Sequence, residues 1–350
     1  MALSVSSVIN ANNWNNGFQD RSGIKLLPIE LKNGTKVIFS NLGGNVLSFK
    51  VPGKEAPIDI TQCALDFSNS NFNLPSLLTM GEIRGLTPPM YPSVGRTTEV
   101  PCGDMNLLSQ IPGYRMLNEK LGIHGAAHNR LWKVTDEGFH GDVHRVTTEF
   151  KISASENGDI YKVFGAGTVK RIYDIKPTQN GAEIEIETIL NGKRVFGDHS
   201  YFNTPNRNET TLQAKGASLW QVDKDNVPTG SLINGGMFDS PTALDKPFDG
   251  IFTGLGFDTV EPNPEVTATL FDQKIRLEIA VSQGGMFTHR TIFTPMKAEG
   301  IPESYACIEP STTSTDAYRL SKSIYGLATP HGTWSNEAIA GKQRITVTFK

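Results

Sequence analysis

Residues Ala182 to Leu190 read A-E-I-E-I-E-T-I-L, with Ile184 and Ile186 alternating with Glu183, Glu185 and Glu187. Side chains that change face at every residue belong to a strand with one side in a core and one in water. The same alternation closes the chain at Ile345-Thr346-Val347-Thr348-Phe349. Thr35 to Ser40 and Asn45 to Val51 form a β-rich pair around Leu42-Gly43-Gly44. Val266 to Phe271 and Lys274 to Val281 flank the polar turn Asp272-Gln273 and read as a hairpin. Thr147 to Ile152 and Arg171 to Ile175 are further strand candidates. Helical spacing is scarce, and its best instance, Asp316 to Ile324, is short.

A chain built this way needs many turns, and 34 Gly and 20 Pro spread along 350 residues supply them. Single cores usually stop growing near ~250–300 residues, so the length predicts one large β domain or two ordinary ones. No internal repeat or low-complexity tract divides it. Two loop-like stretches, Asp66 to Pro92 and Asp223 to Gly256, are rich in Gly, Pro, Asn and Asp; long loops in compact domains usually carry function. Strand after strand joined by long loops points to a large antiparallel sandwich.

Composition excludes several classes. The net charge is −3, so no basic excess draws the chain to nucleic acid or an anionic membrane. No run approaches the ~20 apolar residues of a membrane span. The N-terminus does not read as a signal peptide, and the cytoplasm is the expected compartment. Cys63, Cys102 and Cys307 are odd in number and widely spaced, which argues against a disulfide framework or a structural zinc site. GxxxxGK[ST], GxGxxG and GxSxG patterns are missing, so ATP, dinucleotide and serine-hydrolase readings lose their usual support. His124/His128 and His140/His144 have zinc-like spacing on a helix, but Gly125 and Gly141 interrupt strand-like surroundings.

Four segments carry the remaining chemistry: Tyr91-Pro92-Ser93-Val94-Gly95-Arg96, Gly122-Ile123-His124-Gly125 running on to Trp132, Asp198-His199-Ser200-Tyr201-Phe202-Asn203, and Cys307-Ile308-Glu309-Pro310 with Asp316-Ala317 beyond. Singly, each has an ordinary structural reading. As an ordered set they resemble the aldose 1-epimerase (galactose mutarotase) family, with its Y-P-x-x-G-R, H-G, H-x-Y-F-N and late Glu. Val227-Pro228-Thr229-Gly230, Phe248-Asp249-Gly250-Ile251-Phe252 and the Gly34 to Pro52 stretch extend the resemblance from about Gly34 to the C-terminus. It implies an all-β fold, a large antiparallel β-supersandwich of the galactose mutarotase type. Residues 34–350 would form that domain, and residues 1–33 an N-terminal extension or first strand.

The implied activity is interconversion of the α and β anomers of an aldose. A proton leaves the anomeric hydroxyl, another reaches the ring oxygen, the ring opens, C1–C2 rotates and the steps reverse. This needs one base and one acid on opposite sides of C1–O5, each worth about 10²–10⁴ in rate, and no metal or other cofactor. By resemblance, Glu309 is the base and His199 the acid, residue types whose ordinary pKa values suit those tasks. Arg96, His124 and Asp249 are the implied substrate-binding residues, with Asp239 and Asp245 in the same stretch as Asp249. Gly125 fits a close backbone approach to sugar. Trp132 reads as core, or as a platform for a sugar face.

The chain departs from the family at Thr97-Thr98-Glu99, where Ala-Asn-Arg is frequent and hydroxyl contacts would arise. After H-G it leans toward the H-G-x-A-R form of hexose-6-phosphate mutarotases, whose Arg helps to bind phosphate; His128 matches that Arg and Arg130 lies two residues on. A phosphate site would draw on Arg84, Arg96, Arg130 and His128. The alternatives are therefore a hexose-6-phosphate mutarotase and a non-catalytic carbohydrate-binding protein, which would need neither His199 nor Glu309. A lyase or glycoside hydrolase lacks an evident carboxylate pair. The expected partner is a small-molecule sugar, with no nucleic acid and no membrane, and the chain acts as a monomer or homodimer.

Overall fold

The computed structural model of the chain describes residues 18–19, 23–53, 56–62, 84–204, 207, 209–214, 218–253, 266–270, 275–281, 286–297, 300–301, 303–324 and 328–349. Its strands form antiparallel sheets of nine, eight, five and three strands. The nine-stranded sheet runs Lys133–His140, Val143–Ile152, Gly167–Thr178, Gly181–Lys193, Trp334–Phe349, Ile275–Val281, Val266–Leu270, Thr211–Ala214 and Thr242–Ala243. The eight-stranded sheet runs Pro228–Asn234, Ser218–Val222, Phe248–Thr253, His289–Thr294, Tyr305–Ser311, Gly197–Asp198 and Pro89–Met90, with Ser200–Asn203 also paired to Tyr305–Ser311.

The alternation at Ala182 to Leu190 does what period two requires. Ile184, Ile186 and Leu190 are buried while Glu183, Glu185 and Glu187 are only partly so, within Gly181–Lys193. Its long partner, Trp334–Phe349, brings Ile345 opposite Ile184 and Val347 opposite Ala182. Each isoleucine buried this way contributes roughly 1.5–3 kcal/mol. The main core joins this sheet to the other large ones: Tyr173, Ile184 and Ile345 pack in one cluster with Phe252, Ile292 and Ile308, and with Leu27, Val37 and Phe39 of the five-stranded sheet. That sheet includes strands at Phe18–Gln19 and Lys25–Glu30.

The predicted β pair around Leu42-Gly43-Gly44 is present as Lys36–Ser40 and Asn45–Val51. Both glycines there have positive φ, and a Cβ on Gly43 would stand 2.7 Å from the His128 carbonyl oxygen and one on Gly44 2.9 Å from the Trp132 ring, so only glycine lets this turn meet the neighbouring segment. Val266–Leu270 and Ile275–Val281 pair as the expected hairpin, whose turn lies outside the described residues. Most of the Asp66 to Pro92 stretch also lies outside them. The Asp223 to Gly256 stretch departs from its loop-like reading: it carries the strands Pro228–Asn234 and Phe248–Thr253. Pro228–Asn234 is the edge strand of its sheet and buries only Pro228. The helix expected over Asp316 to Ile324 is confined to Ala317–Leu320, with Asp316 in a left-handed conformation at its start, and a seven-residue helix forms at Gly158–Phe164. Among the described residues no helix is long and apolar enough to cross a membrane.

One ion pair ties the two large sheets. Arg171 on Gly167–Thr178 and Asp198 on Gly197–Asp198 are both fully buried, with Nη2 2.7 Å from Oδ2. Nη1 of Arg171 donates to the Thr87 carbonyl at 3.1 Å. Burial pushes Asp198 up to about 6 against the pull of Arg171. Removing one member would strand a charge in the interior. Arg171→Leu should therefore cost about 3–5 kcal/mol in urea unfolding, while Arg171→Leu with Asp198→Leu should recover most of the loss.

Candidate active site

The register of one strand pair assembles the centre of the site. Ser200 faces Ile308 and Tyr201 faces Cys307 across the Ser200–Asn203 and Tyr305–Ser311 ladder. Continuing that pairing by one residue sets His199 opposite Glu309, on the face that also carries Tyr201 and Cys307. The outcome is a buried contact: His199 Nε2 lies 3.2 Å from Glu309 Oε1, with His199 7% and Glu309 3% exposed. The acid and base expected on opposite sides of the reacting bond thus stand side by side. Since O1 and O5 of an aldose share one carbon, a neighbouring acid and base can still reach both from one wall.

His199 is held by its surroundings. Its backbone N–H donates to the Pro88 carbonyl, as that of Tyr201 does to Gly85, both at 2.9 Å. Its ring stacks on Tyr201 at 4.4 Å and 13° and meets the edge of His124 at 4.7 Å. The preceding residue is Asp198 of the buried ion pair, so the sheet-to-sheet tie anchors the backbone from which His199 projects.

Glu309 and His199 open into a cavity of about 310 Å³ lined also by Arg96, Arg115, Leu117, His124, Tyr201, Asp249, Ile251, Phe293 and Tyr305. All five residues expected at the site from the sequence therefore border one cavity. Arg96 Nη1 approaches Asp249 Oδ2 at 3.4 Å, and Asn226 Nδ2 donates to the same oxygen at 3.0 Å. Burial raises the Asp249 pKa, and Arg96 and Asn226 pull it back toward the ionised form. Asp239 and Asp245 do not line the cavity, so the structure selects Asp249 from the three aspartates of its stretch.

His124 sits at φ 67° and is partly buried, with Nδ1 3.1 Å from Met90 Sδ. Burial first, then the nearby His199, His128 and arginines, holds its pKa well below the usual 6.5, so its imidazole is neutral at physiological pH. Gly125 serves a different approach from the expected one: its Cβ would fall 2.4 Å from the Tyr91 carbonyl oxygen, so glycine is needed against protein backbone. Trp132 is core. It is 2% exposed, stacks on Phe150 at 5.3 Å and donates its indole N–H to Ala127.

The stretches that depart from the family pattern have structural work. Thr98 donates through its backbone and hydroxyl to Asp316, which also binds Arg319 Nε, and Glu99 pairs with Lys322. The Asp316-Ala317 motif thereby clamps the loop that presents Arg96, whose carbonyl accepts from Asp316 N–H at 2.7 Å. His128 is buried and bonds Asn129, while Arg130 pairs with Asp159 and donates to Pro112. Neither of these expected phosphate ligands borders the cavity. Nor do the His124/His128 and His140/His144 spacings build a zinc-like set: His124 lines the cavity while His128 faces Asn129, and His140 lies beside Asp136 of its own strand while His144 sits opposite Phe139 on the next. Sequence reasoning missed Arg115 and Asn226. Asn226 left one signal: it precedes Val227-Pro228-Thr229-Gly230 and adopts φ 55°, a conformation asparagine tolerates.

A family model described as Aldose 1-epimerase matches residues 113–320. Against curated proteins, nothing matches the sequence. Solved structures do. A galactose mutarotase-like protein from Clostridium acetobutylicum is 16% identical, with a TM-score of 0.70 over 96% of this chain and 98% of that one. A GalM/aldose epimerase homologue from C. elegans is 13% identical, with a TM-score of 0.64 over 93% and 98%. A galactose mutarotase-like protein from Lactobacillus casei is 16% identical, with a TM-score of 0.56 over 92% and 100%. At these identities the likeness establishes the fold: a galactose mutarotase-like β-sandwich.

The neutral His124 has a pH signature. The unfolded chain takes up its proton near 6.5 and the folded one resists it, so its contribution is intact above that value and lost as pH falls below it. Between pH ~7 and ~5, His124→Gln should lose less stability than the parent in urea titrations, since only the parent carries this proton-linked loss.

Proposed function

The chain belongs to the aldose 1-epimerase family, and from that premise we propose that it interconverts the α and β anomers of a free hexose such as galactose or glucose. The observation that carries the reading is the buried His199–Glu309 contact at the wall of a sugar-sized cavity. A binding protein needs hydroxyl contacts and a stacking surface; it gains nothing from burying a carboxylate against an imidazole. Glu309 removes the proton of the anomeric hydroxyl, and His199 delivers one to the ring oxygen. The open-chain aldehyde rotates about C1–C2 and recloses by the reverse transfers, with His199 as base and Glu309 as acid. Side-by-side placement lets proton donor and acceptor exchange roles without leaving C1. Asp249, oriented by Arg96 and Asn226, accepts from sugar hydroxyls; neutral His124 supplies a further polar contact. The enzyme works without a cofactor, in the cytoplasm, as a monomer or homodimer.

A second reading, a hexose 6-phosphate substrate, keeps Arg84 and Arg96 from the cations the sequence suggested and replaces Arg130 and His128 with Arg115. Arg96 and Arg115 line the cavity, and Arg84 lies 4.6 Å over Tyr305 and 5.7 Å over Tyr201, both cavity residues. Two or three clustered cations are what a phosphate group asks for.

Freshly dissolved α-glucose or α-galactose followed by polarimetry should equilibrate faster with the protein. Glu309→Gln should lower that rate by about 10²–10⁴ while leaving the fold intact by circular dichroism. Failure to accelerate any aldose, free or phosphorylated, would leave the binding-protein reading. Comparing glucose with glucose 6-phosphate, and repeating it with Arg115→Gln, separates the two substrates: loss of preference for the phosphate in that variant supports the second.

A further inference from the structure

Cys307 belongs to the strand that presents Glu309, yet ring opening has no use for a thiol. It is fully buried, is not in a disulfide, and does not border the cavity. The strand register places it nonetheless. Cys307 and Glu309 are two apart on one strand and project to the same face; Tyr201 and His199 do so on the next. The donor atoms of His199, Cys307 and Glu309 consequently all lie within 4.8 Å of one another, and the His199 Nε2 to Glu309 Oε1 edge is 3.2 Å.

We propose that these three side chains form a site for a thiophilic divalent cation of the zinc class, whose occupancy shuts down the active site. An imidazole, a thiolate and a carboxylate are the ligands such ions select. Tetrahedral bonds of about 2.0–2.3 Å span ligand-to-ligand edges of roughly 3.3–3.6 Å. The nitrogen–oxygen edge already has nearly that length, and the sulfur reaches it by a side-chain adjustment. The cavity side leaves the fourth position open to water, the arrangement of a three-ligand site. Binding is balanced by proton release: the thiol of Cys307 and the His199 that serves as acid each give a proton to solvent, and Glu309 binds as carboxylate. Affinity therefore rises with pH. The metal is an inhibitor here and not a requirement, because it takes the lone pair of the acid–base histidine and the oxygen of the carboxylate together. That consequence rests on the mutarotase reading; the binding site does not.

The two parts can be tested separately in the full chain carrying Cys63→Ala and Cys102→Ala, which leaves Cys307 as the remaining thiol. One equivalent of Co²⁺ should give a thiolate-to-cobalt charge-transfer band with the visible spectrum of a tetrahedral ion. Adding Cys307→Ala, or the similarly sized Cys307→Ser, should abolish the band without change in circular dichroism. In the same protein one equivalent of Cd²⁺ should lower the anomerisation rate by about 10²-fold or more, the contribution of an acid or a base, and EDTA should restore it. The Cys307 variants should keep their turnover and lose most of the metal sensitivity. Absence of the cobalt band, or its persistence in both variants, overturns the site. A cysteine-dependent band with no effect on anomerisation upholds the site and contradicts the assignment of His199 and Glu309 as the catalytic pair.

Discussion

The fold turns on a charge that it buries. Arg171 and Asp198 come from different sheets, lie 2.7 Å apart and are closed to solvent. Taking both ions out of water costs several kcal/mol each before their attraction is counted. Apolar packing alone, with Phe252, Ile292 and Ile308 against Tyr173, Ile184 and Ile345, would join the sheets without this expense. What the pair adds is register: a bidentate-capable guanidinium fixed to both Asp198 and the Thr87 carbonyl sets where the Gly197–Asp198 strand lies against the Gly167–Thr178 strand. His199 follows Asp198 directly, so the position of the imidazole inherits that constraint.

From that anchor the site is built outward in layers. The Ser200–Asn203 and Tyr305–Ser311 pairing brings Glu309 to His199. The adjoining strands His289–Thr294 and Phe248–Thr253 add Phe293, Ile251 and Asp249 to the same cavity. Loops close the remaining sides. Asp316 gathers Thr98 and Arg319, and its N–H holds the carbonyl of Arg96; Asn226 steadies Asp249 from the opposite direction. Strands of the eight-stranded sheet thus carry Glu309 and Asp249 and flank His199, while contacts from outside that sheet fix Arg96 and Asp249 in place.

Much of this was legible in the sequence, for identifiable reasons. Period-two patterning located the Gly181–Lys193 and Trp334–Phe349 strands because each has one face in the core and one toward water. It failed over Asp223 to Gly256, where the edge strand Pro228–Asn234 lies exposed or half-buried beyond its first residue and so carries no apolar face. The family-like motifs named five of the residues that border the cavity. They did not reveal that His199 and Glu309 touch, since that depends on strand register between residues 110 positions apart. Arg171 sat on a predicted strand with a parity shared by Tyr173 and Ile175, so its burial was implicit; its partner Asp198 was not. Gly125 was rightly marked as a place of close approach, but the approaching group is the Tyr91 carbonyl. Arg115 and Asn226 escaped because a lone arginine and a turn asparagine have no local pattern that distinguishes a site from a surface.

The central claim is that His199 and Glu309 act as one proton-transfer unit. A double-mutant cycle on the anomerisation rate tests it directly, using His199→Asn, Glu309→Gln and the pair together. Residues that share a single relay lose nearly everything with either substitution, so the double variant should be no slower than the slower single one. Losses that multiply independently would mean two unconnected groups that happen to lie 3.2 Å apart, and an unimpaired single variant would remove that residue from the mechanism.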